Sequence, residues 1–375
     1  MPSSLKEVVT VGPPPDAPYS SAVKAGGFVY LSGTLAEDAT GAVDATGDIG
    51  AQTRLVLERM REVLVAAGSS LEQVVSVTVY LTTAAHFQPM NEAYRPFWAK
   101  DPPTRTTVIT GLVRPEALIE ITMIAAPNGA DRQVVLPKDW KPSPNPYSYA
   151  IRSGDTIFLS GLVPRRGRDN SLVSGDITAQ TRAVMDNGAE LLAAAGMTFA
   201  NVVSTRVYLT EPSNFAGMNE AYRQYFTQAP PARATVKSGL AGPDFLVEMT
   251  FTASSAPRQA IGSGPAGIPI SPAVTAGQRV YLSGALGNTP ETAGNVGAQT
   301  RETLARLRKT LEAAGATPAD VVEAMVYLKD VASFAVMNDE YRTFFGGGFP
   351  ARTTVGTPLV VDDGLVEIML TAVVR

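Results

Sequence analysis

The chain of 375 residues has no cysteine and a single histidine, His86. Without cysteine there can be no disulfide, no thiolate metal site and no cysteine nucleophile. A lone histidine also gives little support to the acid–base cleavage of RNA. We expect His86 to be a solvated loop residue and we expect no metal site.

The sequence also lacks an excess of positive charge and long runs of apolar residues. The formal net charge is −4 and no run of basic residues is present, so no strong field would attract a phosphate backbone or an anionic membrane. No stretch approaches the roughly 18 apolar residues that a membrane span needs, and the first fifteen residues, MPSSLKEVVTVGPPP, lack the apolar segment of a secretory signal. We therefore expect a cytoplasmic protein without nucleic-acid or membrane partners.

What the sequence does contain is one pattern written three times. The segment GDIGAQTRLVLERMREVLVAAG at residues 47–68 recurs in closely similar form at 175–196 and 294–315. Val-Tyr-Leu, Met-Asn and Pro-(Thr or Ala)-Arg motifs follow in the same order in each copy. A glutamine and an arginine are 53 positions apart in all three copies, at Gln52 and Arg105, Gln180 and Arg233, and Gln299 and Arg352. Internal repeats of this kind decide the architecture before any local feature does.

The copies begin 119 to 128 residues apart, which is the size of a domain rather than of a solenoid unit. We predict three domains, at residues 1–128, 129–255 and 256–375, joined by short linkers near PNGADRQ and SSAPRQ. The one change of length lies between the Ser-Gly and AQTR motifs, where the span is 20 residues in the first two copies and 16 in the third. Such a deletion is best tolerated at a loop tip.

Residue periodicity in the first copy predicts an α+β domain of order ββαβαββ. Strands are expected at 28–31, 74–81, 106–110 and 118–126, with a further N-terminal strand within 6–11. Helices are expected from residue 49 to a glycine stop at Gly68, and over 85–100. Two helices cover only one face of the sheet. Three copies around a pseudo-threefold axis can cover the other face, with sheets inside and helices outside, as an intramolecular pseudo-trimer.

In fixed order and spacing, these motifs resemble the Rid family, the reactive-intermediate deaminases also called YjgF-like proteins. The features that carry the resemblance are Ala-Pro-Tyr-Ser at 17–20, the strand ending in Ser-Gly, AQTR, Val-Tyr-Leu, Met-Asn-x-x-Tyr, and Pro-Ala-Arg-x-Thr-Val followed by Val-Glu-Ile or Val-Glu-Met. The resemblance implies chorismate-mutase-like domains, a trimer with a site at each interface, and hydrolysis of 2-aminoacrylate-type enamines or imines to keto acids and ammonia. Neither a metal nor an organic cofactor is implied.

The resemblance also assigns roles to residues that recur in the copies. Carboxylate-binding arginines would be Arg105, Arg233 and Arg352, and the glutamates handling the attacking water would be Glu120, Glu248 and Glu367. The pocket would be lined by Tyr19 and Tyr147, by the pairs Ser32-Gly33, Ser160-Gly161 and Ser283-Gly284, by Asn91, Asn219 and Asn338, and by Thr107, Thr235 and Thr354, which stand where many family members have cysteine. A planar guanidinium can hold a carboxylate through two parallel hydrogen bonds.

Structural alternatives remain for each of these residue types. Since the arginine and the glutamate fifteen positions on are expected on adjacent strands, they could form an interface salt bridge. The glutamate could be a satisfied buried carboxylate, the Ser-Gly pair a turn, and the asparagine a helix cap. Copy three has Ile270 where the others have tyrosine, so one pocket lacks a hydroxyl. A non-catalytic module that binds small carboxylates, and less plausibly a ribonuclease, are the competing functions.

Overall fold

A computed structural model of the protein describes residues 5–12, 17–38 and 40–375. Part of the N-terminal segment considered above, residues 1–4 and 13–16, and Ala39 lie outside this description. The first domain contains β1 (Glu7–Val9), β2 (Ala22–Ala25), β3 (Phe28–Leu31), α1 (Ile49–Ala66), β4 (Val74–Leu81), α2 (Phe87–Tyr94), β5 (Thr104–Ile109), β6 (Gly111–Leu112) and β7 (Ile119–Ala125).

The second domain repeats this order, and the third differs from it by an added strand before its long helix and by the lack of a strand between its last two strands. The second contains β8 (Gln133–Val135), β9 (Ala150–Ser153), β10 (Thr156–Leu159), α3 (Ile177–Ala194), β11 (Val202–Leu209), α4 (Phe215–Tyr222), β12 (Ala232–Lys237), β13 (Gly239–Leu240) and β14 (Val247–Ser254). The third contains β15 (Arg258–Ile261), β16 (Ala273–Ala276), β17 (Arg279–Leu282), β18 (Ala285–Leu286), α5 (Val296–Ala313), β19 (Val321–Leu328), α6 (Phe334–Phe345), β20 (Ala351–Gly356) and β21 (Val366–Val373).

The predicted α+β order is confirmed, and the extra N-terminal strand is present as β1. Helix α1 begins where the Asp48 side chain accepts a hydrogen bond from the Ala51 N–H, and it stops before Gly68, which has a φ of +74°. Helix α2 is shorter than predicted, because 3₁₀ turns replace both of its ends and Pro96, within the second turn, has no N–H to continue the α-helical ladder.

Each domain builds one mixed sheet, and one feature of the strand order matters for the site. In the first sheet the order is β1-β2-β3-β7-β4-β5, with β5 parallel to β4 and the other pairs antiparallel. The strand β4 therefore separates β5 from β7. The other two sheets place β11 between β12 and β14, and β19 between β20 and β21.

The outer strand of each sheet is covered by a segment from another domain. Strand β13 of the second domain pairs with β5 of the first, and β6 of the first domain pairs with β20 of the third. A single β-bridge from Val236 to Leu359 joins the third domain to β12 of the second. The contacts thus close a cycle in which each domain touches both of the others.

The two faces of each sheet are buried differently. One face packs against the helices of its own domain, and these cores are separate. The other face joins clusters built by all three domains, one of which contains the equivalent residues Tyr80, Tyr208 and Tyr327. Near these tyrosines the symmetry is broken by an ion pair, Arg206 Nη2 to Glu323 Oε1 at 3.4 Å. Sheets inside and helices outside is therefore the observed arrangement.

The difference in length between the copies falls on a short arch after the Ser-Gly motif. In the first two domains this arch is closed by the bridges Glu37–Val43 and Arg165–Leu172. In the third domain β18 and a 3₁₀ turn at Pro290–Thr292 take its place. Among the residues described, no helix combines the length and hydropathy needed to cross a membrane.

Candidate functional site

The repeated arginines and glutamates are almost completely buried. The arginines lie on β5, β12 and β20 and the glutamates on β7, β14 and β21, and all six side chains are 2–4% exposed. The expectation that arginine and glutamate of one copy lie on adjacent strands is wrong. Arg105 is opposite Val77 and Glu120 is opposite Tyr80, on the two sides of β4.

Each arginine instead lies against the next domain, where the Ser-Gly pair holds its backbone. The Arg105 N–H donates to Ser160 Oγ (2.9 Å), and the Gly161 N–H donates to the Arg105 carbonyl (3.2 Å). Ser160 Oγ in turn donates to the Ser148 carbonyl at 2.7 Å. The same two interface bonds join Arg233 to Ser283 and Gly284, and Arg352 to Ser32 and Gly33. The serines therefore position the arginine across a domain interface instead of forming a turn.

The glycine of each pair leaves room for a glutamate carboxyl. A Cβ at Gly161 would lie 1.8 Å from Glu248 Oε1, so no side chain fits there while the carboxyl keeps its position. The corresponding distances are 1.9 Å from Gly33 to Glu120 and 2.0 Å from Gly284 to Glu367. Three clusters result, each with an arginine from one domain and a glutamate from the next. They are Arg105 with Glu248, Arg233 with Glu367, and Arg352 with Glu120.

Aromatic rings surround each guanidinium. The Arg105 guanidinium carbon is 4.9 Å from the Tyr94 ring centre, 5.8 Å from Phe87 and 5.5 Å from Tyr147. Arg352 has the equivalent three rings of Tyr341, Phe334 and Tyr19. Arg233 has two, Tyr222 and Phe215, because Ile270 occupies the third position.

Six of these aromatic residues were not predicted as site residues from the sequence, although each lies at a constant distance along the chain from the repeated arginine of its copy. The tyrosines precede the arginines by 11 positions and the phenylalanines by 18 in every copy. They are Tyr94, Tyr222 and Tyr341, and Phe87, Phe215 and Phe334.

Two of the three arginines, Arg105 and Arg233, have hydrogen-bond donors without a partner among the described residues. Asn91 Oδ1 accepts from Arg105 Nη2 at 2.6 Å, while Nε and Nη1 of Arg105 have no partner among the described residues. Asn338 accepts from Arg352 in the same way (2.7 Å), whereas Asn219 Oδ1, like Nε and Nη1 of Arg233, has no partner in the described ranges. Asn91 lies inside α2 and does not cap it. Within the part of the chain described, no carboxylate oxygen lies within 4.0 Å of these guanidinium nitrogens, so the salt-bridge alternative is wrong.

Burial controls the charge of the glutamates. It raises the pKa of Glu248 to about 8, against the opposing effects of the Thr107 N–H and Arg105. Burial likewise raises the pKa of Glu120 and of Glu367 to about 8. Burial also lowers the pKa of Arg105, but an arginine remains charged at neutral pH. At neutral pH the raised pKa therefore favours the protonated form of each glutamate beside its arginine cation.

Two of the clusters open into cavities of different size. The Arg105 cluster borders a cavity of about 300 Å³ and the Arg352 cluster one of about 70 Å³. Residues lining the larger cavity include Phe87, Arg105, Thr107, Tyr147, Gly161, Arg165, Phe245 and Glu248. Residues lining the smaller one include Tyr19, Gly33, Glu37, Arg114, Glu120, Phe334, Arg352 and Thr354. In the third cluster, Thr235 is buried and its Oγ1 has no partner in the described part of the chain.

His86, expected as a solvated loop residue, directly precedes Phe87 and is not among the residues that line the two cavities. It is partly buried at the end of a 3₁₀ turn, with Nδ1 3.3 Å from Thr82 Oγ1. Among residues 5–12, 17–38 and 40–375, no group of three His, Asp or Glu side chains is arranged to hold a metal ion.

Some known proteins are similar to a single domain of the chain, and another is similar to most of its length. The family model "Endoribonuclease L-PSP" matches residues 10–127, 140–255 and 263–374. A RutC family protein of Sulfurisphaera tokodaii is 40% identical over 109 residues, which are 29% of this chain and 87% of that protein. The 3-aminoacrylate deaminase RutC of Acinetobacter baylyi is 42% identical over 113 residues, 30% of this chain and 90% of that protein. A chorismatase crystal structure is similar in fold over 92% of this chain and 99% of its own, with a TM-score of 0.53 and 15% identity.

Proposed function

The chain belongs to the endoribonuclease L-PSP family, the Rid or YjgF-like family that its sequence resembles, and from that premise we propose that it hydrolyses enamines and imines of 2-amino acids to keto acids and ammonia. The sites would be the three clusters between domains, so that one chain takes the place of three subunits. The observation that carries the proposal is the buried Arg105, which has two donor nitrogens without a partner in the described part of the chain and borders the same cavity as Glu248.

The arginine binds the substrate carboxylate in this proposal. Nε and Nη1 of Arg105 are the buried donors without a partner among the described residues, and a carboxylate that accepts from Nη1 or from Nε satisfies a donor that otherwise stays unpaired in a buried site. The ring of Tyr94 packs on the Arg105 guanidinium, and the hydrogen bond that Nη2 donates to Asn91 Oδ1 fixes the orientation of the guanidinium plane. Binding the carboxylate thereby holds the adjacent C2 carbon at one place in the cavity.

The glutamate moves the protons. With its pKa raised to about 8, Glu248 is mainly protonated at neutral pH and can donate to C3 of 2-aminoacrylate or to the nitrogen of an imine. The carboxylate that forms then takes a proton from a water molecule as the water adds to C2. The tetrahedral aminoalcohol expels ammonia when the hydroxyl proton is lost and the nitrogen is protonated, which leaves the keto acid. One water is consumed and one ammonia is released for each imine.

The test is ammonia release from freshly generated 2-aminoacrylate by a triple variant, Arg105→Gln, Arg233→Gln and Arg352→Gln. We expect it to lose the acceleration. The matched control is Arg54→Gln, Arg182→Gln and Arg301→Gln, which removes three repeated but exposed arginines from the helices and should keep the activity. Thermal unfolding shows whether each variant is folded.

Equal rates for the two triple variants would exclude the proposed sites. If the wild-type protein binds keto acids in calorimetry but does not accelerate ammonia release, the chain is a carboxylate-binding module and not an enzyme. Loss of activity in the first variant alone supports the deaminase.

A further inference from the structure

We propose that the Arg105 cavity takes a substrate with a second acidic group, such as the imine of a 2-oxodicarboxylic acid, and that Arg165 binds this second group. The proposal rests on the proposed function, because Arg105 holds the first carboxylate. It goes further in making the three sites selective for different substrates.

The arch that follows the Ser-Gly pair borders each of the two cavities. The position five residues after the serine of the Ser-Gly pair is Glu37 in the first domain, Arg165 in the second and Asn288 in the third. The position nine residues after the repeated arginine also differs, being Arg114, Gly242 and Val361. These two positions face each other at the Arg352 and Arg105 cavities, while the arginine, glutamate and serine are the same in all copies.

At the Arg352 cavity the two variable positions neutralise each other. Arg114 Nε lies 2.5 Å from Glu37 Oε1, and this ion pair lies beside Tyr19 and Glu120 in a space of about 70 Å³. The entrance therefore adds no net charge and leaves room only for a small substrate.

At the Arg105 cavity the same positions leave a cation unpaired. Arg165 replaces the glutamate, Gly242 replaces the arginine, and among the described residues no carboxylate lies within 4.0 Å of Arg165. Its Nη1 donates only to the Asn170 carbonyl at 2.8 Å, and its guanidinium packs 5.4 Å from the ring centre of Phe245. Both contacts hold the side chain at the wall of the cavity without neutralising it.

The charge of this cavity and its volume both favour a ligand with two carboxylates. Two guanidinium groups, Arg105 and Arg165, line one space of about 300 Å³, and the carboxyl of Glu248 is protonated at neutral pH and does not oppose them. A ligand with one carboxylate satisfies Arg105 alone. A ligand with a second carboxylate along a short carbon chain can satisfy both, which makes a dicarboxylate the better fit.

The test compares two stable keto acids with the same five-carbon chain, 2-oxoglutarate and 2-oxopentanoate, by calorimetry on the full-length protein. We expect 2-oxoglutarate to bind about tenfold more tightly, the effect of one additional partly exposed charge-assisted contact. Arg165→Gln should abolish this preference and leave the affinity for 2-oxopentanoate unchanged. Arg165→Lys should keep part of it. The control Arg168→Gln removes an exposed positive charge that does not line the cavity and should keep all of it.

Three results would overturn the proposal: no preference for 2-oxoglutarate in the wild type, a preference that survives Arg165→Gln, or an equal loss in Arg168→Gln. Its failure is separable from that of the proposed function. A protein that releases ammonia from 2-aminoacrylate without any dicarboxylate preference refutes only this inference. A protein that prefers 2-oxoglutarate through Arg165 but releases no ammonia refutes only the deaminase.

Discussion

Gly161→Ala should separate catalysis from binding at the Arg105 site. The new Cβ would be placed 1.8 Å from Glu248 Oε1, where ordinary contact begins at 3.4 Å, so the carboxyl has to move by about 1.5 Å. It can do so by rotating towards the cavity, since it is the end of a flexible side chain that lines that space. We therefore expect only a small loss of stability.

The effect on the reaction should be much larger. A displacement of about 1 Å in a reacting group commonly lowers a rate about a hundredfold, so turnover at this site should fall by about that factor or more. Arg105 keeps its contacts and the displaced carboxyl takes up only part of a cavity of about 300 Å³, so binding of 2-oxopentanoate to the site should persist, although more weakly. Because two other clusters exist, the measurement is best made in the background of Gly33→Ala and Gly284→Ala, which displace Glu120 and Glu367 in the same way.

The assay is ammonia release from 2-aminoacrylate, with keto-acid affinity from calorimetry and the free energy of unfolding from urea denaturation. A second variant that combines Gly161→Ala with Glu248→Ala removes the clash, so it should regain the stability lost by Gly161→Ala but not the activity. Full activity in the glycine variants, or loss of keto-acid binding together with activity, would refute the view that the glycines serve the carboxyl groups.

Three further predictions concern stability. Ser160→Ala leaves the Arg105 N–H without an acceptor across the interface and should lower the free energy of unfolding, measured in urea, by about 1–3 kcal/mol. An unchanged free energy would contradict the view that Ser160 holds the Arg105 backbone across the interface. Glu323→Ser leaves the partly buried Arg206 without its counter-charge and should cost about 1–3 kcal/mol, most of it recovered when Arg206→Thr is added; a double variant no better than the single one would contradict this. The folded-state pKa of Glu248 is raised from 4.5 to about 8, so its contribution to stability is fully present below pH 4.5 and is lost as the pH rises through 8. Glu248→Gln should therefore flatten the fall of unfolding free energy between pH 4.5 and 8 by up to about 1.4 kcal/mol per pH unit, and an unchanged slope would refute the assignment.

Much of the domain could be predicted from residue order. Strands β3 and β4 have the predicted bounds, and α1 begins and ends within two residues of the prediction, since period-two and period-3.6 patterns and a glycine stop are local signals. Helix α2 was predicted too long, because residues 84–86 and 95–97 continue its pattern while adopting 3₁₀ geometry.

The candidate site was predicted as a set of residue types, but not as contacts. Arg105 and Glu120 are only fifteen positions apart, and we expected them on adjacent strands. That expectation is wrong because β4 lies between β5 and β7 in the sheet. The missing tyrosine at Ile270 also affects a different domain from the one that contains it. The residue belongs to the third copy, yet the guanidinium that lacks a third aromatic ring is Arg233 of the second.

The sequence by itself determined the three copies, their α+β order and the residues that recur in all of them. Hydrophobic period, glycine stops and constant spacing are properties of neighbouring residues, and they can be read along the chain. Only the tertiary structure decided which arginine meets which glutamate and how the Ser-Gly pairs hold the interfaces. It also decided that Arg165 has no carboxylate partner among the described residues, whereas Glu37 is neutralised by Arg114. Those facts depend on the order of strands in a sheet and on contacts between domains, such as the one that joins Ser32 and Arg352 across 320 positions of the chain.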